Sequence, residues 1–380
     1  MCYKSYIKGC DFLKIVVLDS YALNPGDLSW EWLEKLGDCE IHYRTPQEKI
    51  LERCEGADII LTNKTPLTKE TLSKLNNLKY IALLSTGYNI VDWEYAKEIG
   101  AKLVLATDPD ADRLGMGVFH DGEFHLLNGN QSAAIMVDYI CSQLKAQGRL
   151  PQNGWVFSTN VSSELPLKIA KKYGLNTYVS LTGFKFIGEQ AERMEHEGGE
   201  YVFGFEESYG CLIKDFVRDK DAIQAILMIC EIEAWCESQG KDLFDYLHDI
   251  YEREGFTYET QENIYLRGLD GKKKIREIMD SFRNAELNLK FGEIIRKEDN
   301  YTKVAYEYLT DKVVTSTIDL PQSNVLKYNF NEGSWFVLRP SGTEPKLKIY
   351  FATVGKDKSE AINKNIKLKQ EIMKLIEKLG

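Results

Sequence analysis

The sequence has little that would tie it to a membrane, a nucleic acid or an oxidising compartment. Its longest uninterrupted apolar run, Ala225 to Cys230, is far short of the ~20 residues that span a bilayer. The N-terminus lacks the apolar block of a cleavable signal. Lys and Arg number 48 against 58 Asp and Glu, a net charge of −10, which argues against a nucleic-acid partner because phosphate backbones are held by an excess of basic residues. Eight cysteines, at 2, 10, 39, 54, 141, 211, 230 and 236, form no C-x-x-C pair, and the five histidines are dispersed. That leaves no Cys/His zinc framework and predicts reduced, structural thiols. A cytoplasmic chain is expected, with no membrane and no nucleic acid among its partners.

What is present is an ordinary globular composition, 43% hydrophobic and 28% charged over 380 residues, long enough for two to four domains. Residues 14 to 100 alternate short apolar runs with amphipathic stretches. Strands are predicted over 14–18, 40–43, 57–62 and 80–84, with helices over 30–36, 48–54, 68–75 and 95–100. Strict alternation of this kind predicts a parallel sheet covered on both faces, with right-handed crossovers.

The apolar run Leu103-Val104-Leu105 leads into Asp108-Pro109-Asp110-Ala111-Asp112-Arg113. Alternate carboxylates at a strand end can converge on one hard cation, and Mg²⁺ suits them best. Three side chains leave part of its octahedron open, so the ion would be shared with a phosphate, which the planar fork of Arg113 could also hold. An EF-hand fails here. Counting from Asp108, Arg113 stands where that loop needs Gly and Phe119 where it needs a bidentate Glu.

Further on, Asp121-Gly122 between two apolar strands is a hairpin signal. A helix is expected over 132–145, a linker at Gly148 to Pro151, and a new α/β unit from Trp155. Asp221 reads as the N-cap of a helix to Cys236, with Ala222, Ala225, Ile226 and Ile229 on its buried side. Beyond Gly255 the pattern becomes α+β, with a strand near 261–266, a basic helix near 272–282, a strand over 348–353 and a final amphipathic helix. Between them, Arg339-Pro340-Ser341-Gly342-Thr343-Glu344-Pro345-Lys346 offers hydroxyls, a freed backbone and two cations, the inventory a dianionic phosphate needs.

Two families are visible in these stretches. Residues 14–100, and Ser85-Thr86-Gly87-Tyr88-Asn89 above all, resemble the start of the D-isomer-specific 2-hydroxyacid dehydrogenases of the glycerate dehydrogenase kind. In them that turn presents N–H groups to a substrate carboxylate. From residue 101 onward the chain resembles the α-D-phosphohexomutases, the phosphoglucomutase and phosphomannomutase superfamily. The resemblance rests on Asp108 to Arg113, on Leu181-Thr182-Gly183-Phe184-Lys185, on Phe203-Gly204-Phe205-Glu206-Glu207-Ser208-Tyr209-Gly210, and on the loop from Arg339.

The mutase resemblance implies a division of labour. Asp108, Asp110 and Asp112 would bind Mg²⁺; Arg113 and Lys185 would act catalytically; Glu206 and Ser208 would bind vicinal sugar hydroxyls; Arg339, Ser341, Gly342 and Thr343 would anchor the phosphate. It implies an isomerase of carbohydrate metabolism, an intramolecular phosphotransferase interconverting hexose 1- and 6-phosphates, with glucose or mannose phosphate as substrate. Gly210 stands where some relatives place His, as in the glucose-type branch. The expected architecture is α/β and multidomain: a dehydrogenase-like parallel-sheet fragment over 1–100, a partial metal-binding domain over 101–150, a sugar-binding domain over 151–255 and an α+β phosphate-binding domain over 256–380.

Both families lack a part in this chain. The mutase nucleophile sits in a Thr-Ala-Ser-His-Asn-Pro motif, and the sequence has no Ser-His dipeptide. It also has no G-x-G-x-x-G opening a helix, the fingerprint an NAD-dependent dehydrogenase requires. The reading is therefore a chimera. Its mutase part is either a phosphohexomutase-class protein without its phosphoserine domain or an inactive phosphosugar binder, and dehydrogenase activity is disfavoured.

Overall fold

The computed structural model describes residues 13–379 apart from 23, 25, 27–28, 36, 84–89, 267–269 and 343. The Ser85 to Asn89 turn and Thr343 thus lie outside the described residues. The chain divides into two compact units, Met1–Leu127 and Asn128–Gly380.

In the first unit, β1 (Leu13–Val17), β2 (Gly37–Ile41), β3 (Ile59–Thr62) and β4 (Tyr80–Leu83) form a parallel sheet in the order β2-β1-β3-β4. Helices α1 (Glu31–Glu34), α2 (Ile50–Cys54), α3 (Lys69–Leu72) and α4 (Trp93–Glu98) alternate with it. Successive side chains of β1 bury on opposite faces: Val16 packs with Ile50, Cys54, Ile60 and Leu72, whereas Ile15 and Val17 pack with Leu33 and Leu61. Both faces are covered, as a parallel sheet demands. Buried Asp19 ties the ends of β1 and β3 together, its carboxylate accepting the N–H groups of Asn63, Lys64 and Thr65 at 2.8, 2.6 and 2.7 Å.

A second, antiparallel sheet of this unit comprises β5 (Leu103–Thr107), β6 (Leu114–His120) and β7 (Glu123–Leu127). The β6–β7 turn is the expected hairpin, with φ of 47° at Asp121 and 87° at Gly122. Two successive left-handed residues make the type I′ turn that matches strand twist.

The second unit begins with α5 (Gly129–Ala146), capped by Asn128 and Gln131 in a reciprocal pair. The expected division at residue 150 falls inside this unit. There follow β8 (Gly154–Thr159), α6 (Leu165–Lys172), β9 (Asn176–Ser180), α7 (Phe184–His196), β10 (Glu200–Phe205), β11 (Cys211–Leu212), α8 (Ala222–Ser238) and α9 (Leu243–Glu254). The sheet order is β11-β10-β8-β9, with β8, β9 and β10 parallel. Asp221 caps α8 as expected, accepting the N–H groups of Ile223 and Gln224. Ile226 is only half-buried, because the face of α8 against the sheet is set by Ala222, Ala225, Ile229 and Ile232.

The unit closes with β12 (Phe256–Tyr265), α10 (Gly271–Asn284), β13 (Ile294–Asp299), β14 (Val304–Leu309), β15 (Lys312–Thr317), β16 (Leu326–Phe330), β17 (Trp335–Pro340), β18 (Lys346–Gly355) and α11 (Lys358–Leu379). These strands form one antiparallel sheet in the order β12-β18-β17-β16-β13-β14-β15. The run β13 to β16 extends beyond the expected strands. Phe336, Leu338, Ile349 and Phe351 bury against Ile275, Met279, Phe282 and Leu368 of α10 and α11. The alternate residues Trp335, Val337, Tyr350 and Ala352 cover Val161 of the α/β part.

The described cysteines at 39, 54, 141, 211, 230 and 236 are free thiols. Burial pushes Cys141 and Cys211 up to about 12, so both stay protonated and act as apolar packing.

Candidate functional site

The acidic loop of the first unit joins β5 to β6, whose register closes at Thr107 opposite Leu114. A reverse turn forms as Ala111 donates to the Asp108 carbonyl at 3.0 Å, with Ala111 itself in the left-handed region at φ 53°. The Asp108 carboxylate then accepts the N–H groups of Asp112 at 3.1 Å and Arg113 at 3.0 Å. Burial raises this carboxyl, but those donors and the Arg113 charge outweigh it and hold the group below its usual range. Arg113 lies across the loop, its Nε 3.6 Å from Asp108 and 3.4 Å from Asp112.

One carboxylate oxygen each from Asp108, Asp110 and Asp112 lies within 4.8 Å of the others. Neighbouring oxygens on an octahedral Mg²⁺ are about 3 Å apart, from its ~2.1 Å bonds. The loop therefore fits a hard cation in donor type, in charge and in span.

In the second unit the remaining candidate residues of the α/β part gather at one place, the carboxyl ends of parallel strands β8, β9 and β10. This is where open α/β sheets leave a crevice for ligands. After β9, Thr182 and Gly183 lead into α7, with φ of 119° at Gly183. Lys185 is therefore on the first turn of a helix and not on a loop; the glycine ends the loop and frees the helix to begin at Phe184. Its ammonium is exposed and sits 4.9 Å from the centre of the Phe186 ring.

After β10 the chain folds back sharply. Glu206 N–H donates to the Gly210 carbonyl at 2.9 Å, and Tyr209 takes φ 71°. Within this loop Ser208 is half-buried and Tyr209 exposed. Glu206 is 4% exposed, and its Oε1 accepts the Gly183 N–H at 2.7 Å, joining the β9 and β10 loops. Glu207 turns the other way, toward the loop after β8. Ser162 donates to its carboxylate at 3.1 Å and Thr159 at 3.4 Å. Burial raises the Glu207 carboxyl above its usual range, with the Glu206 charge adding to this and Arg339 opposing it.

Arg339 belongs to the face of β17 that carries Trp335 and Val337, so it points toward the α/β part. Directly opposite on β18 is Lys348, and diagonally opposite is Tyr350, whose hydroxyl lies 3.5 Å from Nη1 of Arg339. Burial, then the Arg339 and Lys346 charges, lower Lys348. Tyr350 is raised by burial and by Glu207. The turn that follows is closed by Ser341 N–H donating to the Lys346 carbonyl at 2.8 Å, while the Ser341 hydroxyl accepts the Glu344 N–H at 3.4 Å. Gly342 has open space where a side chain would stand.

Glu207 stood in the quoted stretch beside Glu206 without a role of its own, and the local motifs missed three further residues: Ser162, Lys348 and Tyr350. The alternation of Lys346, Lys348 and Tyr350 with buried Leu347, Ile349 and Phe351 was the available signal, since it puts the polar set on the face of Arg339. Nothing local pointed to Ser162.

Residues 128–253 match the phosphoglucomutase/phosphomannomutase alpha/beta/alpha domain III, and residues 273–369 match the C-terminal domain of the same proteins. Residues 15–115 match the D-isomer specific 2-hydroxyacid dehydrogenase catalytic domain. A phosphoglucomutase of Staphylococcus aureus is 40% identical over 261 residues, 68% of this chain and 46% of the relative. One from Staphylococcus epidermidis is 40% identical over 260 residues, with the same shares. The chain thus spans about half the length of these relatives. The phosphoprotein pp63/parafusin of Paramecium, a phosphoglucomutase solved in its open form, superposes with a TM-score of 0.52 at 20% identity, over 73% of this chain and 46% of that one. That last likeness is one of fold. No helix among the described residues is long and apolar enough to cross a membrane. From residue 128 to residue 369 the chain belongs to the phosphoglucomutase/phosphomannomutase superfamily of α-D-phosphohexomutases, and the segment before it is similar to the 2-hydroxyacid dehydrogenase catalytic domain.

Proposed function

We propose that this chain is a phosphohexomutase-type protein that recognises a hexose phosphate, glucose or mannose phosphate, but lacks the group that carries phosphate in the full reaction. The observation that carries the reading is the placement of Arg339, Lys348 and the Ser341–Gly342 turn on the sheet face that covers the α/β part, with Glu207 close enough to perturb Lys348 and Tyr350. Two opposed cations and a hydroxyl-bearing turn suit a phosphate dianion. Glu206 and Ser208, at the ends of the parallel strands, suit the hydroxyls of the sugar to which it is attached.

In this reading Lys185, on the first turn of α7, assists at the sugar's reacting oxygen, and Thr343 completes the anchor. Asp108, Asp110 and Asp112 hold Mg²⁺, which when bound supplies positive charge to a phosphoryl oxygen, with Arg113 beside it. Residues 101–127 are then the remnant of a metal-binding domain. The relatives' conversion of hexose 1- and 6-phosphates needs a donor phosphoserine, and no Ser-His dipeptide occurs in this sequence. Recognition without turnover is the outcome.

Calorimetry with glucose 6-phosphate tests this. Millimolar-order binding is expected, weakened about tenfold or more by Arg339→Ala, because a charge-assisted hydrogen bond contributes roughly 1.5–3 kcal/mol. Equal affinity in both proteins would place the anchor elsewhere. A coupled assay with glucose 1-phosphate should show negligible conversion; turnover above about 1 s⁻¹, the low end of ordinary enzymes, would refute the loss of chemistry.

A further inference from the structure

Glu207 is a half-buried acid set beside the cations of the anchor. Its carboxylate accepts the Ser162 hydroxyl at 3.1 Å and the Thr159 hydroxyl at 3.4 Å, and its own N–H donates to Ser162 Oγ at 3.0 Å. Between those two buried residues in sequence stands Val161, which packs against Trp335, Val337 and Tyr350. That is the sheet face on which Arg339 and Lys348 stand opposed. The Arg339 charge acts on Glu207, and Glu207 acts in turn on Lys348 and Tyr350.

The backbone around Glu207 is fixed. A Cβ at residue 129 would fall 2.3 Å from the Glu207 carbonyl, so this residue rests on the start of α5. The loop after β8 is tied to the same helix, because the Ser163 N–H donates to Asn130 Oδ1 at 3.0 Å. The hydroxyls beside the carboxyl suit either of its protonation states. Thr159 Oγ1 and Ser162 Oγ are 2.8 Å apart with either as donor, and a hydroxyl can donate to a carboxylate or accept from a carboxyl O–H. With the anchor empty, the carboxylate offsets part of the charge of Arg339 and Lys348. A dianion at those cations sets like charge against it, and a carboxylate held in place responds by taking a proton.

We propose that Glu207 is the resident counter-ion of the phosphate anchor, and that a dianion binding there is accompanied by uptake of one proton from solvent onto a Glu207 carboxylate oxygen. The proposal rests on the reading of Arg339, Lys348 and the Ser341–Gly342 turn as that anchor. It deepens the reading by making affinity depend on pH through a group the ligand need not touch. Burial already holds this carboxyl above its usual range, with the Glu206 charge adding to this and Ser162 and Arg339 opposing it. A bound dianion raises it further, so the complex keeps a proton that the free chain has released, and affinity falls as pH rises through that interval. Of the other groups facing Glu207, a guanidinium such as Arg339 keeps its charge at every working pH, and Tyr350, raised by burial and by Glu207, stays neutral. Lys348, lowered by burial and by the Arg339 and Lys346 charges, is the competing site of uptake.

Inorganic sulfate is the probe, since it stays a dianion where a phosphate monoester titrates at about pH 6. Calorimetry on the full chain, in buffers of unlike ionisation heat across about pH 5 to 7.5, should report a fraction of a proton taken up per sulfate by the wild type and none by Glu207→Gln. Glu207→Gln should also bind sulfate about threefold or more tighter than the wild type at the upper end of that range, the gap narrowing as pH falls. Uptake that persists in Glu207→Gln and vanishes in Lys348→Arg assigns the proton to Lys348 and overturns the proposal. Sulfate binding by the wild type with no uptake at any pH overturns it too. So does weaker binding by Glu207→Gln, the result expected of a carboxylate that merely holds Ser162. These outcomes leave the anchor standing. A wild type that binds no sulfate, or binds it no better than Arg339→Ala does, overturns the anchor reading first, and this proposal with it.

Discussion

Arg339 on β17 and Lys348 on β18 are directly opposed across an antiparallel pair and point to the same side of the sheet. Like charges facing each other across strands are destabilising, and burial with the Arg339 charge lowers Lys348. A bound dianion relieves that repulsion. Arg339→Ala should therefore change stability and binding in opposite directions. In phosphate-free buffer its melting temperature should equal or exceed that of the wild type by a degree or two, roughly what a few tenths of a kcal/mol produces, while the stabilisation by added phosphate disappears. A variant that melts clearly lower and keeps its response to phosphate would show that Arg339 is a packing residue.

Gly129 opens α5, and a Cβ there would fall 2.3 Å from the Glu207 carbonyl and 2.6 Å from the Tyr209 N–H nitrogen. Both are backbone atoms of the sugar loop, with no flexible end to move aside. Gly129→Ala should cost about 1–3 kcal/mol, the usual range for overpacking, seen as a lower midpoint in urea. It should also weaken glucose 6-phosphate more than inorganic phosphate. An unchanged midpoint would mean that the loop does not rest on this helix.

Asp110 is the exposed member of the acidic trio, whereas Asp108 is committed to the N–H groups of Asp112 and Arg113. Asp110→Asn therefore tests cation binding with the loop intact. Millimolar Mg²⁺ should raise the melting temperature of the wild type by mass action, and most of that rise should vanish in the variant. If both proteins respond alike, the ion is not bound by this loop.

Glu259 on β12 lies opposite Ala352, with Ser163 hydrogen-bonding its carboxyl and Tyr251 nearby. Burial pushes this carboxyl up to about 7 from 4.5. Between those values the folded chain keeps a proton that the unfolded chain has released, so this group's contribution to stability falls as pH rises through the interval. Glu259→Gln removes the dependence. At about pH 8 the variant should melt a few degrees above the wild type, and near pH 4.5 the two should coincide. A wild type that is the more stable at the higher pH would reverse the sign and exclude the account.

Some of this protein is decided by neighbours in the sequence. The alternation of apolar runs with helices from Leu13 to Glu98 could only bury both sheet faces as a parallel array, and it does. Asp121-Gly122 supplies the two left-handed residues of a tight hairpin, and Asp221 supplies the cap of α8. The acidic loop is local as well, since its turn is built from hydrogen bonds among Asp108, Ala111, Asp112 and Arg113.

Other features arise only when distant strands come into register. Glu206 reads as a carboxylate free to meet a sugar, yet the fold gives it the Gly183 N–H and the Lys220 ammonium. Lys185 reads as a loop residue, but Gly183 ends the loop and places it on a helix. Lys348, Tyr350 and Ser162 carry no motif that gathers them. The cationic pair exists because β17 and β18 align Arg339 with Lys348, and the loop after β8 meets Glu207 because β8 and β10 are parallel neighbours. Short-range patterns of polarity and backbone preference determine turns, caps and sheet type. Which charged side chains face one another follows from strand register, which is set by burial across the whole sheet and is written in no single stretch.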